Sequence, residues 1–223
     1  MRSSPSWQFQ LFNYPVRVHA SFLLMGLLFG VAFSGFDLVR LLVWMVVFFL
    51  AIMIHELGHA IANQIFGRSS YIEIHGMGGL TVSSRFGPTS YGQDIFTSFA
   101  GPLAGFLAAG LAYLLMRFIP SANAGVPGLL LGTLYSICIF WGIFNLIPML
   151  PLDGGNIMRS IVHMVRGPYE DRLPLIISVV FGVLTMIAVL VLFRSPYMLL
   201  IIAMLTLSNW QKLRQGFYTD TIY

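Results

Sequence analysis

The sequence predicts an all-α membrane protein with six transmembrane helices and a membrane-associated β-hairpin between helices 2 and 3. Two observations support this fold class. Hydrophobic residues make up 57% of the 223 residues and charged residues only 9%, whereas a soluble domain carries about 25% charged residues. Apolar runs also recur along the whole chain, and most approach or exceed the roughly 17–20 residues that a lipid bilayer requires.

Six apolar runs are candidate transmembrane helices. They are rich in Leu, Ile, Val, Phe and Ala, and they are almost free of charge. They cover residues 20–36, 41–66, 95–116, 126–152, 174–193 and 196–210. Because the connections between them are short, we expect a single polytopic domain over residues 1–223.

The connection between the second and third runs carries a β-hairpin signal. Residues 71–75, "YIEIH", alternate apolar and polar side chains, residues 76–79, "GMGG", supply a turn, and residues 80–84, "LTVSS", resume the strand pattern. We therefore expect a hairpin over Tyr71–Ser84. Its apolar content favours partial burial in the membrane over a fully solvated loop.

The distribution of basic residues predicts the orientation in the membrane. With six crossings, nine Lys and Arg residues fall on the side of the two termini, Arg2 and Arg85 among them, and three fall on the opposite side. The positive-inside rule then predicts cytoplasmic termini, in a cell inner or plasma membrane. The formal charge of +4 therefore reflects topology rather than nucleic-acid binding.

Two further features narrow the class of protein. The first apolar run follows a mixed polar stretch and lacks a small-residue cleavage site, so we do not expect a signal peptide. Cys138 is the only cysteine in the sequence, which excludes an internal disulfide framework and a thiolate metal cluster.

The second run contains three ionisable residues, His55, Glu56 and His59, in the stretch "AIMIHELGHA". Each costs roughly 2.5–3.5 kcal/mol inside a bilayer even on a mild insertion scale, so the cluster predicts a ligand. Histidines four residues apart share one helix face, where both can reach one Zn²⁺ at about 2.0–2.1 Å. The neighbouring Glu56 suits the general-base role of an HExxH metalloprotease. We expect one zinc ion per chain.

Zinc in a catalytic site needs a third protein ligand, and Asp153 is the leading candidate. It lies 6 residues before Arg159, and His59 lies 8 residues before the expected end of the second run. At 1.5 Å per residue both would lie about 9–12 Å from the same membrane surface. His75 in the hairpin is the rival third ligand. A helix-capping role is the alternative for Asp153.

The fourth run contains polar and helix-breaking residues before Asp153. Pro148 and Pro151 should interrupt the helix, which is tolerated where the backbone lines a polar cavity and would admit water. Asn145 suits a hydrogen bond to the oxyanion of a reacting carbonyl. An ordinary interhelical hydrogen bond is its equal alternative.

Small and interfacial residues carry weaker signals. The third run has small residues at positions 100, 101, 104 and 105, and this spacing favours close helix packing over a direct role in the site. His19 and His163 flank candidate helices, so we expect them at the membrane interface.

Three motifs resemble those of a known family: HELGH at residues 55–59, NLIP at residues 145–148 and LDG at residues 152–154. Together they resemble the active-site motifs of the site-2 protease family of intramembrane zinc metalloproteases. The segments "VRVHASF", "GMGGL" and "FAGPLAG" are similar to further parts of that family's pattern, so that the resemblance covers nearly the whole chain.

The resemblance implies that His55, His59 and Asp153 bind zinc and that Glu56 acts as catalytic base and acid. It also implies a hairpin that positions an extended substrate, which would be a transmembrane segment of another protein. A membrane-anchored regulator such as an anti-sigma factor, or a leftover signal peptide, would fit. This sequence departs from the family at Gly105, where many relatives have asparagine, and it shows no PDZ-like or CBS-like insertion.

Two other functions fit some of these residues. A metal transporter would use the same ligands transiently, although its ionisable residues would be distributed along a path rather than gathered at one depth. A non-catalytic membrane protein with a structural zinc would have four protein ligands and no need of Glu56. An intramembrane zinc metalloendopeptidase accounts for the most residues.

Overall fold

The structure is a computed structural model that describes residues 6–84 and 90–219. Arg2 and Arg85, two of the basic residues used to predict the orientation, lie outside the described residues. The chain divides into two compact units. The described part of the first comprises residues 6–84 and 100–143, and that of the second comprises residues 90–99 and 144–219.

The described residues are mostly helical and form seven α-helices. A 3₁₀ turn precedes α4 and a π-helical turn follows α6. The helices are α1 (Ala20–Ser34), α2 (Leu38–Ile65), α3 (Tyr91–Phe118), α4 (Gly125–Asn145), α5 (Asp153–Arg166), α6 (Arg172–Ala188) and α7 (Pro196–Thr219), with the 3₁₀ turn at Pro120–Asn123 and the π turn at Val189–Phe193.

Four helical segments in the described residues are long and apolar enough to cross a membrane. They are Leu38–Ile65, Tyr91–Phe118, Gly125–Asn145 and Arg172–Leu192. The apolar part of α1, Ala20–Ala32, is shorter. The prediction of a polytopic membrane protein is therefore confirmed in outline, and the count of six crossings stays a prediction.

The interruption predicted in the fourth run is present, and two helices replace the single span drawn over residues 126–152. Helix α4 ends at Asn145, an irregular loop follows, and α5 begins at Asp153. Pro148 and Pro151 explain the break, because proline lacks an N–H to donate and disfavours helical backbone at the preceding residue. Asp153 therefore starts a separate, amphipathic helix instead of lying within a transmembrane one.

A four-stranded sheet corrects the all-α fold class. Its strands are β1 (Ser6–Leu11), β2 (Tyr14–His19), β3 (Ser70–His75) and β4 (Gly78–Ser83), in the order β1-β2-β3-β4. The antiparallel pair β3–β4 lies where the sequence predicts a hairpin. Strands β1 and β2 were not predicted. The parallel pairing of β2 with β3 joins residues more than 50 positions apart, and a sequence window cannot detect it.

The core of the first unit lies between this sheet and α2. Val16 and Val18 of β2 are paired with Ile72 and Ile74 of β3, and all four side chains are buried. The alternation of buried and exposed residues along β2 and β3 puts one face of the sheet against the helices. Phe48 of α2 extends this core through stacked and edge contacts with neighbouring aromatic rings.

Local signals fix both ends of α2. Asp37 is the N-cap residue, and its side chain accepts a hydrogen bond from the Arg40 backbone N–H at 3.0 Å. After the C-cap residue Phe66, Gly67 adopts a φ of 72°, a left-handed conformation that glycine allows without steric cost. These two signals define where α2 begins and where it ends before the hairpin.

In the second unit, α6 and α7 pack closely. Gly182 of α6 faces Thr206 of α7, and a Cβ atom at position 182 would collide with that side chain. A small apolar cluster of Met149, Val189 and Ile202 is buried in this unit. Because Met149 belongs to the loop before α5, the cluster anchors that loop to α6 and α7.

Candidate functional site

The two histidines of the HExxH motif lie together on one buried face of α2. His55 and His59 are 4% and 8% exposed, and their Nε2 atoms are 3.2 Å apart. The rings meet edge to face with centroids 4.8 Å apart. The predicted pairing at positions i and i+4 is therefore present in the structure.

This separation fits two ligands of one metal ion. Two nitrogens bound tetrahedrally at about 2.0–2.1 Å would lie about 3.3–3.4 Å from each other. The observed 3.2 Å between the Nε2 atoms is close to that value. A hydrogen bond between two packed histidines would give a similar distance, so the case for a shared metal ion rests also on the HExxH spacing and the neighbouring Glu56.

Strand β4 covers the glutamate of the motif. Glu56 is 4% exposed, and its Oε2 atom accepts a hydrogen bond from the Thr81 hydroxyl at 2.7 Å. The same hydroxyl lies 3.0 Å from the Glu56 backbone oxygen. A threonine hydroxyl has a single proton to donate, so the two oxygens of Glu56 share one donor.

The hairpin approaches Glu56 so closely that one strand position must be glycine. A Cβ atom at Gly79 would collide with the Glu56 side chain. Sequence reasoning assigned this glycine only to a turn and did not identify Thr81. A hydroxyl residue on the strand two positions after Gly79 was visible in the sequence, but nothing local showed that it faces α2.

Helix α3 closes the opposite side of the histidine pair. A Cβ at Gly58 would collide with the backbone of Ala100, and a Cβ at Gly101 would collide with the ring of His59. The predicted packing role of the small residues on α3 is therefore confirmed at positions 100 and 101. At Gly105 a Cβ would meet only the Cys138 carbonyl oxygen, at 3.7 Å, which is an ordinary contact.

Asp153 belongs to the second unit and is the first residue of α5. The N-cap position is Leu152, and Asp153 is the acidic residue of the first turn, so the zinc-ligand and helix-capping roles of Asp153 both stay predictions. Gly154 and Gly155 follow, and a Cβ at either would collide with the backbone of residues 146–150. The loop before α5 therefore folds tightly against the first turn that carries Asp153.

The remaining predicted residues occupy different environments. Asn145 is the last residue of α4 and is 9% exposed. His75 ends β3, where its Nδ1 accepts a hydrogen bond from the Met77 N–H at 3.2 Å, so it stabilises the hairpin turn. His163 pairs with the exposed Asp171 at 3.1 Å, and His19 is the N-cap residue of α1.

Comparisons with known proteins identify the family. The Peptidase M50B-like family matches residues 28–152 and Peptidase family M50 matches residues 119–189. A zinc metalloprotease of Methanocaldococcus jannaschii is 27% identical over 197 residues, which is 82% of this chain and 56% of that protein. A provisionally named zinc metalloprotease of Synechocystis sp. is 35% identical over 176 residues, 70% of this chain and 44% of that protein.

The solved structure of the site-2 protease from Methanocaldococcus jannaschii has the same fold. It superposes with a TM-score of 0.65 at 24% identity and covers 94% of this chain and 95% of that one. In this chain the HExxH motif lies in a helix of membrane-crossing length, and a strand of the small sheet covers its glutamate. The chain belongs to the M50B-like peptidase family and is an integral membrane protein. It spans about half the length of the curated relatives it matches.

Proposed function

We propose that this protein is an intramembrane zinc metalloprotease that hydrolyses a peptide bond within or near the transmembrane segment of another membrane protein. One observation carries the proposal. Two buried histidine Nε2 atoms lie 3.2 Å apart beside Glu56, inside a helix that is long and apolar enough to cross a bilayer. The names of both curated relatives as zinc metalloproteases support the choice of metal and reaction.

His55, His59 and Asp153 would hold one zinc ion. Two imidazole nitrogens and a carboxylate oxygen are donors that zinc prefers, and three protein ligands leave a position open for water or substrate. When bound, zinc lowers the pKa of a coordinated water towards about 7 and polarises a carbonyl group.

Glu56 would move the proton during hydrolysis. Its carboxylate accepts a proton from water as the water oxygen bonds to the carbonyl carbon, and it delivers that proton to the amide nitrogen as the C–N bond breaks. The hydrogen bond from Thr81 would hold one carboxylate oxygen and leave the other for this transfer. Asn145 would donate a hydrogen bond to the carbonyl oxygen as negative charge develops on it.

The substrate would bind in an extended form. A helix uses its peptide carbonyls in its own hydrogen bonds, so a transmembrane segment must unwind before cleavage. Strand β4 lies at one edge of the described sheet and covers Glu56, which supports strand addition as the way the hairpin positions substrate. A membrane-anchored transcription regulator, such as an anti-sigma factor, or a leftover signal peptide is the expected substrate class.

The topology belongs to the same proposal. One domain over residues 1–223 would cross an inner or plasma membrane six times, with α1 and α7 as the crossings beyond the four longest apolar segments. Both termini would be cytoplasmic. The parallel pairing of β2 with β3 supports α1 as a crossing, because it requires the chain to enter α1 and leave α2 at the same end of this helix pair.

A combined cleavage and zinc-binding assay tests the proposal. The purified protein in lipid nanodiscs is incubated with a single-pass membrane protein, and bound zinc is measured on the same samples. Glu56→Gln should retain zinc while cleavage falls by about 10²–10⁴-fold. Glu73→Gln is the matched control, since Glu73 lies on β3 and pairs with Arg17 at 3.2 Å. It should cleave at the wild-type rate.

Three results would contradict parts of this function. Cleavage by Glu56→Gln at the wild-type rate removes the catalytic role of Glu56. Full zinc occupancy in Asp153→Ala removes Asp153 from the ligand set and turns attention to His75. Zinc binding without cleavage of any substrate, combined with zinc flux into proteoliposomes, would identify a transporter, and the same binding without flux would identify a structural zinc.

A further inference from the structure

The loop of residues 146–152 and the first turn of α5 form one compact backbone unit. Successive short-range hydrogen bonds link the loop, from Ile147 N–H to the Phe144 carbonyl at 3.2 Å and from Leu152 N–H to the Met149 carbonyl at 2.9 Å. The Asn156 N–H then donates to the Leu152 carbonyl at 3.0 Å. Any displacement of the loop will therefore displace the residue that follows it, Asp153.

Two buried polar side chains hold the backbone of Leu150 within this loop. The Leu150 N–H donates to Ser178 Oγ of α6 at 3.0 Å. The Leu150 carbonyl accepts from Asn209 Nδ2 of α7 at 2.6 Å. Ser178 and Asn209 are 0% and 1% exposed, so neither side chain exchanges these bonds for bonds to water.

Each side chain is oriented by a second hydrogen bond to its own helix. Ser178 Oγ donates to the Pro174 carbonyl at 2.7 Å, which leaves its lone pairs for Leu150. Asn209 Nδ2 donates its other proton to the Leu205 carbonyl at 2.9 Å. The donors of both side chains are thereby used, and the geometry at Leu150 is fixed from two helices.

We infer that Ser178 and Asn209 are positioning residues for the metal centre, which hold the loop at Leu150 and through it fix Asp153. This inference rests on the proposed role of Asp153 as a zinc ligand. Burying a serine and an asparagine in helices that are otherwise apolar is costly unless their polar atoms are satisfied. The N–H and the carbonyl of Leu150 supply the hydrogen-bond partners that these two side chains require.

The alternative is that the two residues only pack α6 against α7. The two roles predict different effects of the substitutions when Asp153 is absent. A positioning role acts through Asp153, so its effect on zinc binding vanishes once Asp153 is removed. A packing role affects the whole protein and persists in that background.

The test measures the affinity for Zn²⁺ of the full chain in nanodiscs by competition with a chromophoric chelator. The variants are Ser178→Ala and Asn209→Leu, each alone and combined with Asp153→Ala. Thr185→Val is the matched control for Ser178→Ala, because Thr185 on the same helix donates to the Phe181 carbonyl at 2.7 Å in the same way and lies away from the loop.

We expect Ser178→Ala and Asn209→Leu each to weaken zinc binding by about tenfold, the lower end of the range for residues that orient metal ligands. Thr185→Val should bind zinc as wild type does. In the Asp153→Ala background neither substitution should weaken binding further. Should Asn209→Leu fail to fold, the milder Ser178→Ala with its control still decides the question.

Two results would overturn the inference and leave the proposed ligands standing. One is unchanged zinc affinity in both single variants while Asp153→Ala weakens it. The other is an equal loss in the wild-type and Asp153→Ala backgrounds, which would indicate a packing role. Unchanged zinc affinity in Asp153→Ala itself would overturn the proposed ligand set and, with it, this inference.

Discussion

The candidate metal ligands of the two units are positioned in different ways. In the first unit, His55 and His59 lie in the C-terminal half of the long helix α2, where the helical repeat puts them on one face and their Nε2 atoms are 3.2 Å apart. In the second unit, Asp153 follows an irregular loop that is held by side chains of α6 and α7. A regular element positions ligands through local geometry, whereas a ligand at the end of a loop depends on tertiary contacts.

The largest effects should come from removing ligands. His55→Ala should weaken zinc binding by more than about 100-fold, beyond the 10–100-fold typical of mutations around a metal site, and Asp153→Ala should also weaken it strongly. The measurement is the dissociation constant for Zn²⁺ of the purified protein. His75→Ala, whose ring serves the hairpin turn, should leave the constant unchanged. A loss in His75→Ala without one in Asp153→Ala would reverse this assignment.

A smaller effect should come from crowding the histidines from α3. Gly101→Ala adds a methyl group that would collide with the His59 ring, so the ring must move out of line with His55. We expect about tenfold weaker zinc binding and a free energy of unfolding lower by about 1–3 kcal/mol, as for overpacked cores.

Gly110→Ala is the matched control on the same helix, because a Cβ atom there would meet nothing within 4 Å. It should leave zinc binding unchanged and stabilise the helix by up to about 1 kcal/mol. If both substitutions had the same effect, the His59 contact would not be the cause.

The hydrogen bond between the hairpin and the glutamate should influence catalysis more than metal binding. Thr81→Val removes the donor to Glu56 Oε2, and a hydrogen bond to a charged group contributes about 1.5–3 kcal/mol. We expect kcat for the proposed cleavage to fall about tenfold at unchanged zinc occupancy. Thr81→Ser, which keeps the hydroxyl, should restore most of it, and failure to do so would point to lost packing.

The smallest effect should come from the sheet away from the site. Arg17 and Glu73 form an ion pair at 3.2 Å, with side chains 45% and 22% exposed. Exposed pairs contribute about 0–1 kcal/mol, so Arg17→Gln should lower the free energy of unfolding by less than 1 kcal/mol, as followed by chemical denaturation. A larger loss would mean that β2 depends on this pair for its position against β3.

The contrast between local geometry and tertiary contacts also explains which features could be predicted from the sequence. The spacing of His55 and His59 predicts that they share one helix face, because residues four apart on a helix are neighbours. The β3–β4 hairpin is likewise local, and its antiparallel pairing lies where the sequence predicts it. The contact of Thr81 with Glu56 was not predicted, since 25 residues separate them and their meeting depends on how the hairpin folds back.

Some errors are local, and others arise where distant segments decide the structure. The break in the fourth apolar run was predicted from Pro148 and Pro151, but the ends of the two resulting helices, at Asn145 and Asp153, were not. The pairing of β2 with β3 could not be predicted, because two helices separate the strands. Strands β1 and β2 themselves form a local antiparallel hairpin across residues 12 and 13, and the apolar–polar alternation in "WQFQL" and "VRVH" was an overlooked signal for it. Ser178 and Asn209 carried a visible signal, a polar side chain within an apolar run, but only the structure identifies Leu150 as their common partner.

The parallel pairing of β2 with β3 has a consequence for assembly. Two helices separate Val16 and Val18 from their partners Ile72 and Ile74, and Gly26 and Gly30 of α1 provide close packing against α2, so we expect this helix pair to form before the strands meet. Closing a loop of that length is slow compared with forming a hairpin. We therefore expect the strand that covers Glu56 to gain the support of the full sheet late in folding, after the first two helices have paired.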